Sequence, residues 1–487
     1  MSTLQETNHS YKKLTVDSIS KKIVAAQYSV RGAVPLRANE IKEDLKAGKH
    51  FPFSNVVSCN IGNPQALQQL PLSFLREVAA LVVCPTLLNH PLPFDDEVLA
   101  RAKAFLKANP TGLGAYTHSQ GFSSVRGEVA AFIGARDGHP TDPASIYLTN
   151  GASEGVKMAL SLVCADSESG VMIPMPQYPL YSASLALTGA RAVSYALCEE
   201  EGWSTRVEDL EASYCAAVDA GTKVTAIAVI NPGNPTGGVL TGQAIADILE
   251  WAYAKNLVVL ADEVYQENIY VDTKRFVSFK KVLRTLESQD KCLGLQLFSF
   301  HSTSKGFLGE CGLRGGYMEI INLDPAVIAQ VYKLASINLC PNTLGQLAVS
   351  LMVNPPQGDS PAAKVYRTER DSILDSLKSR AARSEAMFNS IEGVSCQPVE
   401  GALYAFPKLT LPAKLIEAAE AVGQAPDLFY CMAMLDAIGV CVVPGSGFNQ
   451  VEGTWHFRTT VLPSGEQFEQ YLRNVPKFHR EFMARFQ

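Results

Sequence analysis

The stretch FSFHSTSKGFLGECGLRGG, residues 298–316, sets one lysine, Lys305, directly behind His301, Ser302, Thr303 and Ser304, and follows it with a glycine-rich loop and Arg314. A lysine on an ordinary solvated face sits among other charged residues; this one sits among small donors. Hydroxyls, free amides and an arginine fork are what a phosphate needs, and Ser302, Ser304 and Arg314 offer them here. A lysine crowded by positive charge and shielded from water has its amine pKa pushed down. It then becomes a nucleophile toward an aldehyde, giving a Schiff base.

Three other stretches bear on that chemistry. In NLVVLADEVYQ, Asp262 follows the apolar run 257–261 and so lies at the tip of a buried strand. A carboxylate there must be paired or hydrogen-bonded, or else it caps the next helix, which aspartate does well. NPGNPTGG holds two Asn-Pro steps after the strand-like VTAIAVI; it is either a turn or a rigid corner presenting Asn234 to a ligand. TNGASEGV places small residues at a strand-to-helix junction, where free backbone amides suit a phosphate and Ser153 adds a hydroxyl. A cofactor carrying both a phosphate and an aldehyde is pyridoxal phosphate, whose chemistry also needs a carboxylate on the ring nitrogen. Asp262 meets that need, with Tyr265 and Asn234 as candidates to hydrogen-bond the phenolate oxygen of the ring.

Other chemistries find less support. GLGAYTHSQG lacks the third glycine of a dinucleotide fingerprint, and there is no P-loop lysine motif or HxxxH pair. His301 is read as a packing residue and Cys311 as structural. The 487 residues, 47% hydrophobic and 18% charged, suit a globular chain of two domains. A net charge of -6 gives no basic field for nucleic acid. No apolar run approaches the ~20 residues of a membrane span. Eleven scattered cysteines point to reduced thiols rather than a disulfide framework or a metal site. The polar N-terminus, with Glu6 and Asp17, lacks a secretory signal, and a cytoplasmic location is expected, with a mitochondrial matrix form as the alternative.

These residues need positioning. Helical periodicity marks FDDEVLARAKAFLKA and SSVRGEVAAFIGARDG. Short apolar runs mark SIYLTN, GVMIPMPQYPLY, VTAIAVI, NLVVLAD and LQLFSF as strands of a buried, largely parallel sheet. The motifs begin where those strands end, which is where open α/β sheets bind ligands. After residue 355 a long helical region, a break at GVSCQPVEGALYAFP, and the strand-like GVCVVPGSGF and TWHFRTTVLP read as a second, smaller α/β domain.

The combination of SxSK with a downstream arginine, NPTG, ADEVY and a late FR resembles the fold type I, class I and II aminotransferases. Longer strings, among them IPMPQYPLYSA, FHSTSKGFLGECGLRGGYMEI and VPGSGF followed by GTWHFRTTVLP, are similar to the alanine aminotransferase branch of that family, from about residue 20 to the C-terminus. The resemblance implies a large domain with a mostly parallel seven-stranded sheet flanked by helices, and a smaller α/β domain built from both chain termini. The expected division is 1–85 for the arm and first part of the small domain, 86–355 for the cofactor domain and 356–487 for the rest of the small domain.

By the same resemblance Lys305 is the Schiff-base lysine, Asp262 the partner of the pyridine nitrogen, and Asn234 and Tyr265 the contacts of the phenolate oxygen. Ala152, Ser153, Ser302, Ser304 and Arg314 hold the phosphate, although the Lys305-to-Arg314 spacing is one residue longer than in aspartate aminotransferases. Tyr178 stacks on the ring, and Tyr116 reaches the phosphate of a neighbouring subunit, implying a homodimer with shared sites. Arg458 grips the substrate carboxylate, with Gly62 and Asn234 beside it, and a cis peptide precedes Pro235. The activity implied is amino transfer between L-alanine and 2-oxoglutarate, giving pyruvate and L-glutamate by ping-pong kinetics. Alternatives are glutamate:glyoxylate or aromatic amino acid transfer, a lyase on the same scaffold, and a binding protein on a degenerate one.

Overall fold

Runs of Val, Ile, Leu and Ala, too short for helices and bounded by turns, become the strands of the main sheet. In the computed structural model, which describes residues 14–28 and 32–487, these are β1 (Ile146–Asn150), β2 (Ser169–Met175), β3 (Arg191–Ala196), β4 (Lys223–Ile230), β5 (Val258–Asp262), β6 (Leu297–Ser302) and β7 (Gly315–Ile321). The start of the N-terminal arm, Glu6 included, lies outside the described residues. The order across the sheet is β1-β7-β6-β5-β4-β2-β3, and β7 alone runs against the others.

Side chains alternate between the two faces of each strand, and both faces are covered. Leu260, Phe298, Phe300 and Met318 pack with Val156 and Leu160 of the helix Ala152–Val163 and with Tyr181 and Leu185 of the helix Leu180–Thr188. Val259, Ala261, Leu297 and Ile321 pack on the opposite side, with Ile245 and Leu249 of Gly242–Ala254 and Phe279 and Leu283 of Phe279–Glu287. Burial on both sides is why these strands read as continuous apolar runs.

GVMIPMPQYPLY, expected to be one strand-like run, is divided. The strand ends at Met175 and a helix begins at Leu180. Pro176 and Pro179 lack the N–H a sheet ladder needs, and proline suits a helix start.

The smaller lobe joins both ends of the chain. Val34 and Ile41 of the helix Ala33–Lys46 share a core with Leu377 and Phe388 of Pro361–Asn389, Met434 of Pro426–Ile438, and Phe468 and Phe478 of Gly465–Met483. Its longest strand, β8 (Trp455–Thr460), pairs antiparallel with Tyr404–Ala405, Lys408–Leu409 and Val443–Pro444. The Thr460 amide donates to the Cys59 carbonyl at 2.9 Å, which brings the turn at Gly62 beside Arg458. The helix Ser73–Val83, grouped with the arm and small domain in the expected division, packs into the core of the larger lobe: Phe74, Leu75 and Val78 lie with Phe105, Val129 and Leu347.

Among the described residues no helix is long and apolar enough to cross a membrane, and no His, Cys, Asp and Glu cluster could hold a metal ion.

Candidate active site

The carboxyl ends of β1, β4, β5 and β6 open into a cavity of about 350 Å³ at the junction of the two lobes. Its lining includes Gly62, Ala152, Ser153, Tyr178, Asn234, Asp262, Tyr265, Ser302, Ser304, Lys305, Arg314 and Arg458. Of the residues assigned a cofactor or substrate role from the sequence, only Tyr116 lies elsewhere: it is 77% exposed on the surface.

One end of the cavity is built for an anion. The helix Ala152–Val163 starts there, its first amides free of intrahelical partners. Arg314 donates to the Asn150 carbonyl at 3.0 Å and to the Ser153 hydroxyl at 3.4 Å. Gly151 has φ +77°, and a Cβ there would stand 2.3 Å from the Arg314 guanidinium, so only glycine lets the arginine reach this helix start. Ser302 Oγ accepts from the Ser304 amide at 2.9 Å, forming a tight turn that leads to Lys305. The longer loop before Arg314 turns through Gly306 and Gly309, both at positive φ.

Lys305 stands between the two ends, its Nζ donating to the Gly62 carbonyl at 2.8 Å. Asp262 closes the floor. It ends a strand and caps no helix, since the next residues form a turn. Its Oδ2 accepts from the Tyr181 hydroxyl at 3.1 Å, while Oδ1 is buried without a partner among the described residues. Burial pushes this carboxyl up to about 6, against the pull of Tyr181, the Val264 amide and Lys305. A buried carboxylate oxygen left open is costly, and a ligand cation would satisfy it.

At the far end Arg458 is buried. It donates to Asn234 Oδ1 at 3.1 Å and to the Asn60 carbonyl at 2.6 Å, and its Nε has no partner among the described residues. The Asn234 corner is held by backbone geometry, with cis peptides at Asn231–Pro232 and Asn234–Pro235. A guanidinium with no carboxylate of its own in a water-poor site is arranged to take one from a ligand.

His301 lies outside this cavity. Burial first, and the Arg136 cation second, push its imidazole down to about 3, so it is a neutral packing residue. Cys311 lines the cavity, where its Sγ donates to the Ser304 carbonyl at 3.0 Å. The sequence reading missed four contributors: Tyr181 on Asp262, Tyr404 beside Lys305, the Asn60 carbonyl on Arg458, and Tyr28, whose hydroxyl lies 2.7 Å from that of Tyr178. Tyr181 could have been found, since PQYPLY puts it on the first turn of a helix at a strand end. Tyr404 and Tyr28 lie in segments that carried no motif.

The donor set fits pyridoxal phosphate. An arginine and a helix start suit the phosphate, a lysine amine stands within the cavity, and an open carboxylate atom suits a protonated ring nitrogen.

Comparison with known proteins points the same way. The family described as aminotransferase class I and II matches residues 89–474. The protein named alanine aminotransferase 2, mitochondrial, from Arabidopsis thaliana is 48% identical over 479 residues, covering 97% of this chain and 88% of that protein. The glutamate–glyoxylate aminotransferase 1 of the same plant is 45% identical, with 98% of each chain covered. Among solved structures, an alanine aminotransferase from Pyrococcus furiosus superposes with a TM-score of 0.74 at 25% identity, covering 95% of this chain and all of that one.

Proposed function

This chain belongs to the class I and II aminotransferases, and from that premise we propose that it moves the amino group of L-alanine to 2-oxoglutarate, giving pyruvate and L-glutamate, and runs the reverse. The observation that carries the reading is the convergence of Lys305, Asp262 and the buried Arg458 on one cavity, in a chain 48% identical to a relative named for alanine.

Pyridoxal phosphate, when bound, supplies an aldehyde that accepts the amino group and a protonated ring that takes up the electron pair left on the substrate's α-carbon. Arg314, Ser153, Ser302, Ser304 and the amide of Ala152 would hold its phosphate. Tyr178 would cover the ring, Asn234 would donate to its phenolate oxygen with Tyr265 beside it, and Asp262 would hold the ring nitrogen. Lys305 Nζ would take up the α-proton of the amino acid and hold it for return within the site. Arg458 orients the α-carboxylate, with Gly62 and Asn234 beside it. Because the amino group is parked on the enzyme between substrates, kinetics are ping-pong.

The rival favoured by a specific observation is glutamate:glyoxylate transfer, through the 45% identical relative of that name. Initial rates with alanine plus 2-oxoglutarate, against glutamate plus glyoxylate, separate them. Alanine transfer at least tenfold higher in kcat/KM is expected; the reverse order would sink the assignment.

For Arg458→Lys we expect the KM for alanine to rise roughly ten- to hundredfold, because a point charge cannot reproduce a two-pronged grip. An unchanged KM would mean that another group binds the carboxylate.

A pH effect follows from the floor of the site. Burial holds Asp262 up at about 6 and Glu263 up at about 7. A carboxyl whose folded pKa is raised favours the fold at low pH, and that contribution is lost as pH rises through the folded value. Above pH 6 Asp262 is ionised against the cost of its burial, which Lys305 only partly offsets, and the cation of a protonated ring nitrogen would offset more of it. Pyridoxal phosphate should raise the melting temperature more at pH 8 than at pH 5. Asp262→Asn should flatten that pH dependence; an equally steep variant would remove Asp262 from the role.

Tyr116, exposed and outside its own cavity, supports a homodimer in which it meets the partner's phosphate. Sedimentation of a monomer with full activity would refute that. The eleven unpaired cysteines suit a reducing compartment. The cytoplasm is our reading, and the matrix is the alternative favoured by the Arabidopsis relative's name; cell fractionation decides between them.

A further inference from the structure

Between the lysine and the arginine stands a phenol with no place in the roles above. Tyr404 sits on a two-residue strand paired with Thr460 of β8, two positions beyond Arg458. Its ring centre lies 4.2 Å from the Arg458 guanidinium carbon, with Phe448 contributing a second ring at 4.7 Å. Its hydroxyl accepts from the Tyr265 hydroxyl at 3.3 Å. Tyr265 in turn accepts from Asn234 Nδ2 at 3.4 Å, and Asn234 Oδ1 accepts from Arg458 at 3.1 Å. Four side chains thus close a circuit, in which Tyr404 joins the carboxylate-binding end to the pair beside the cofactor ring.

The hydroxyl also faces Gly62. A Cβ there would stand 2.1 Å from it and 3.2 Å from Lys305 Nζ, so the phenol and the amine crowd the same bare backbone.

We propose that Tyr404 is a positioning residue for transamination, its ring holding the Arg458 guanidinium in place for a carboxylate and its hydroxyl directing the proton of Tyr265. This rests on the function proposed above. The two halves of the role are separable, because phenylalanine keeps the ring and drops the hydroxyl.

The electrostatics agree with the geometry. Burial works against ionisation of Tyr404, and so does Cys311. The Lys305 and Arg458 cations and the hydrogen bond from Tyr265 outweigh them, holding the phenol below its ordinary range. Tyr265 is pushed well above its own, first by burial and then by Tyr404. Of the two hydroxyls, Tyr265 therefore keeps its proton and Tyr404 receives the hydrogen bond.

The test has two arms. The first needs neither cofactor nor activity: an alkaline ultraviolet titration of the cofactor-free protein. Among the 17 tyrosines one should ionise ahead of the rest, and Tyr404→Phe should abolish that early step. The second splits kcat from KM in the loaded enzyme. Tyr404→Phe should lower kcat roughly fivefold, as loss of one hydrogen bond does, with the alanine KM within about twofold. Tyr404→Leu, or the longer and more adaptable Tyr404→Met if the former does not fold, should also raise that KM roughly tenfold by removing the ring.

An early step that survives in Tyr404→Phe, or an unchanged kcat, overturns the hydroxyl's role. An unchanged KM in the ring-deleted variant overturns the clamp. A wild-type protein with the early phenol but no action on alanine would instead sink the transaminase reading, so the two failures are distinguishable.

Discussion

Lys305→Ala should abolish steady turnover of L-alanine with 2-oxoglutarate while leaving the protein able to take up pyridoxal phosphate. The two outcomes separate because the lysine and the phosphate cradle are built from different elements. Arg314, Ser153 and the start of the helix Ala152–Val163 remain when the amine is removed. Among the described residues no other amine is placed to move the α-proton, since Lys305 is the one lysine of these that lines the cavity. Removing a positioned proton-transfer group costs typically 10² to 10⁴ in rate; here the same group also tethers the cofactor, so the loss should exceed roughly 10⁴. The check is a coupled pyruvate assay beside equilibrium dialysis of the cofactor. Steady activity within a hundredfold of wild type would take Lys305 out of its role.

Asp262→Ala should lower kcat by roughly 10³ or more, about 4 kcal/mol on the barrier. A ring nitrogen stays protonated in a buried site only if a negative charge stands against it, and Asp262 Oδ1 is the buried carboxylate atom left open for that purpose. Tyr181, donating to Oδ2, would orient the carboxylate without replacing its charge. Asp262→Asn should therefore be nearly as damaging as Asp262→Ala, because it keeps the shape and drops the charge. Turnover within tenfold of wild type in either variant would refute the electron-sink argument.

How much of this was legible before any coordinates depended on the distance over which each contact is specified. Lys305, Ser302 and Ser304 are neighbours in one turn, and Asp262 ends an apolar run, so residue type and spacing within a dozen positions were enough to find them. Five strands of the main sheet were legible for the same reason, since they are covered on both faces and carry apolar runs; β3, RAVSYA, and β7, GGYMEII, carry no such run.

Contacts made across the lobes were not. Tyr404 lay in the stretch GVSCQPVEGALYAFP, read as a break because its strand is only two residues long. It reaches the site only because β8 carries Arg458 to the same place. The Asn60 carbonyl on Arg458 is a backbone group nearly 400 positions away in sequence, and residue type says nothing about a carbonyl. Tyr28 meets Tyr178 across 150 positions, which no local period records. The helix Ser73–Val83 was assigned by its place in the chain. The apolar face formed by Phe74, Leu75 and Val78 could have packed on either lobe, and only tertiary contact shows which.

The most direct test is a visible absorption spectrum of the purified, cofactor-loaded protein before and after L-alanine, with no keto acid present. The account predicts that the yellow absorbance falls, the band of the cofactor's amine form grows, one pyruvate appears per site, and 2-oxoglutarate restores the first spectrum. A yellow protein whose spectrum and pyruvate yield do not respond to alanine would contradict the substrate assignment, and a protein that takes up pyridoxal phosphate without developing the yellow imine absorbance would contradict the role of Lys305.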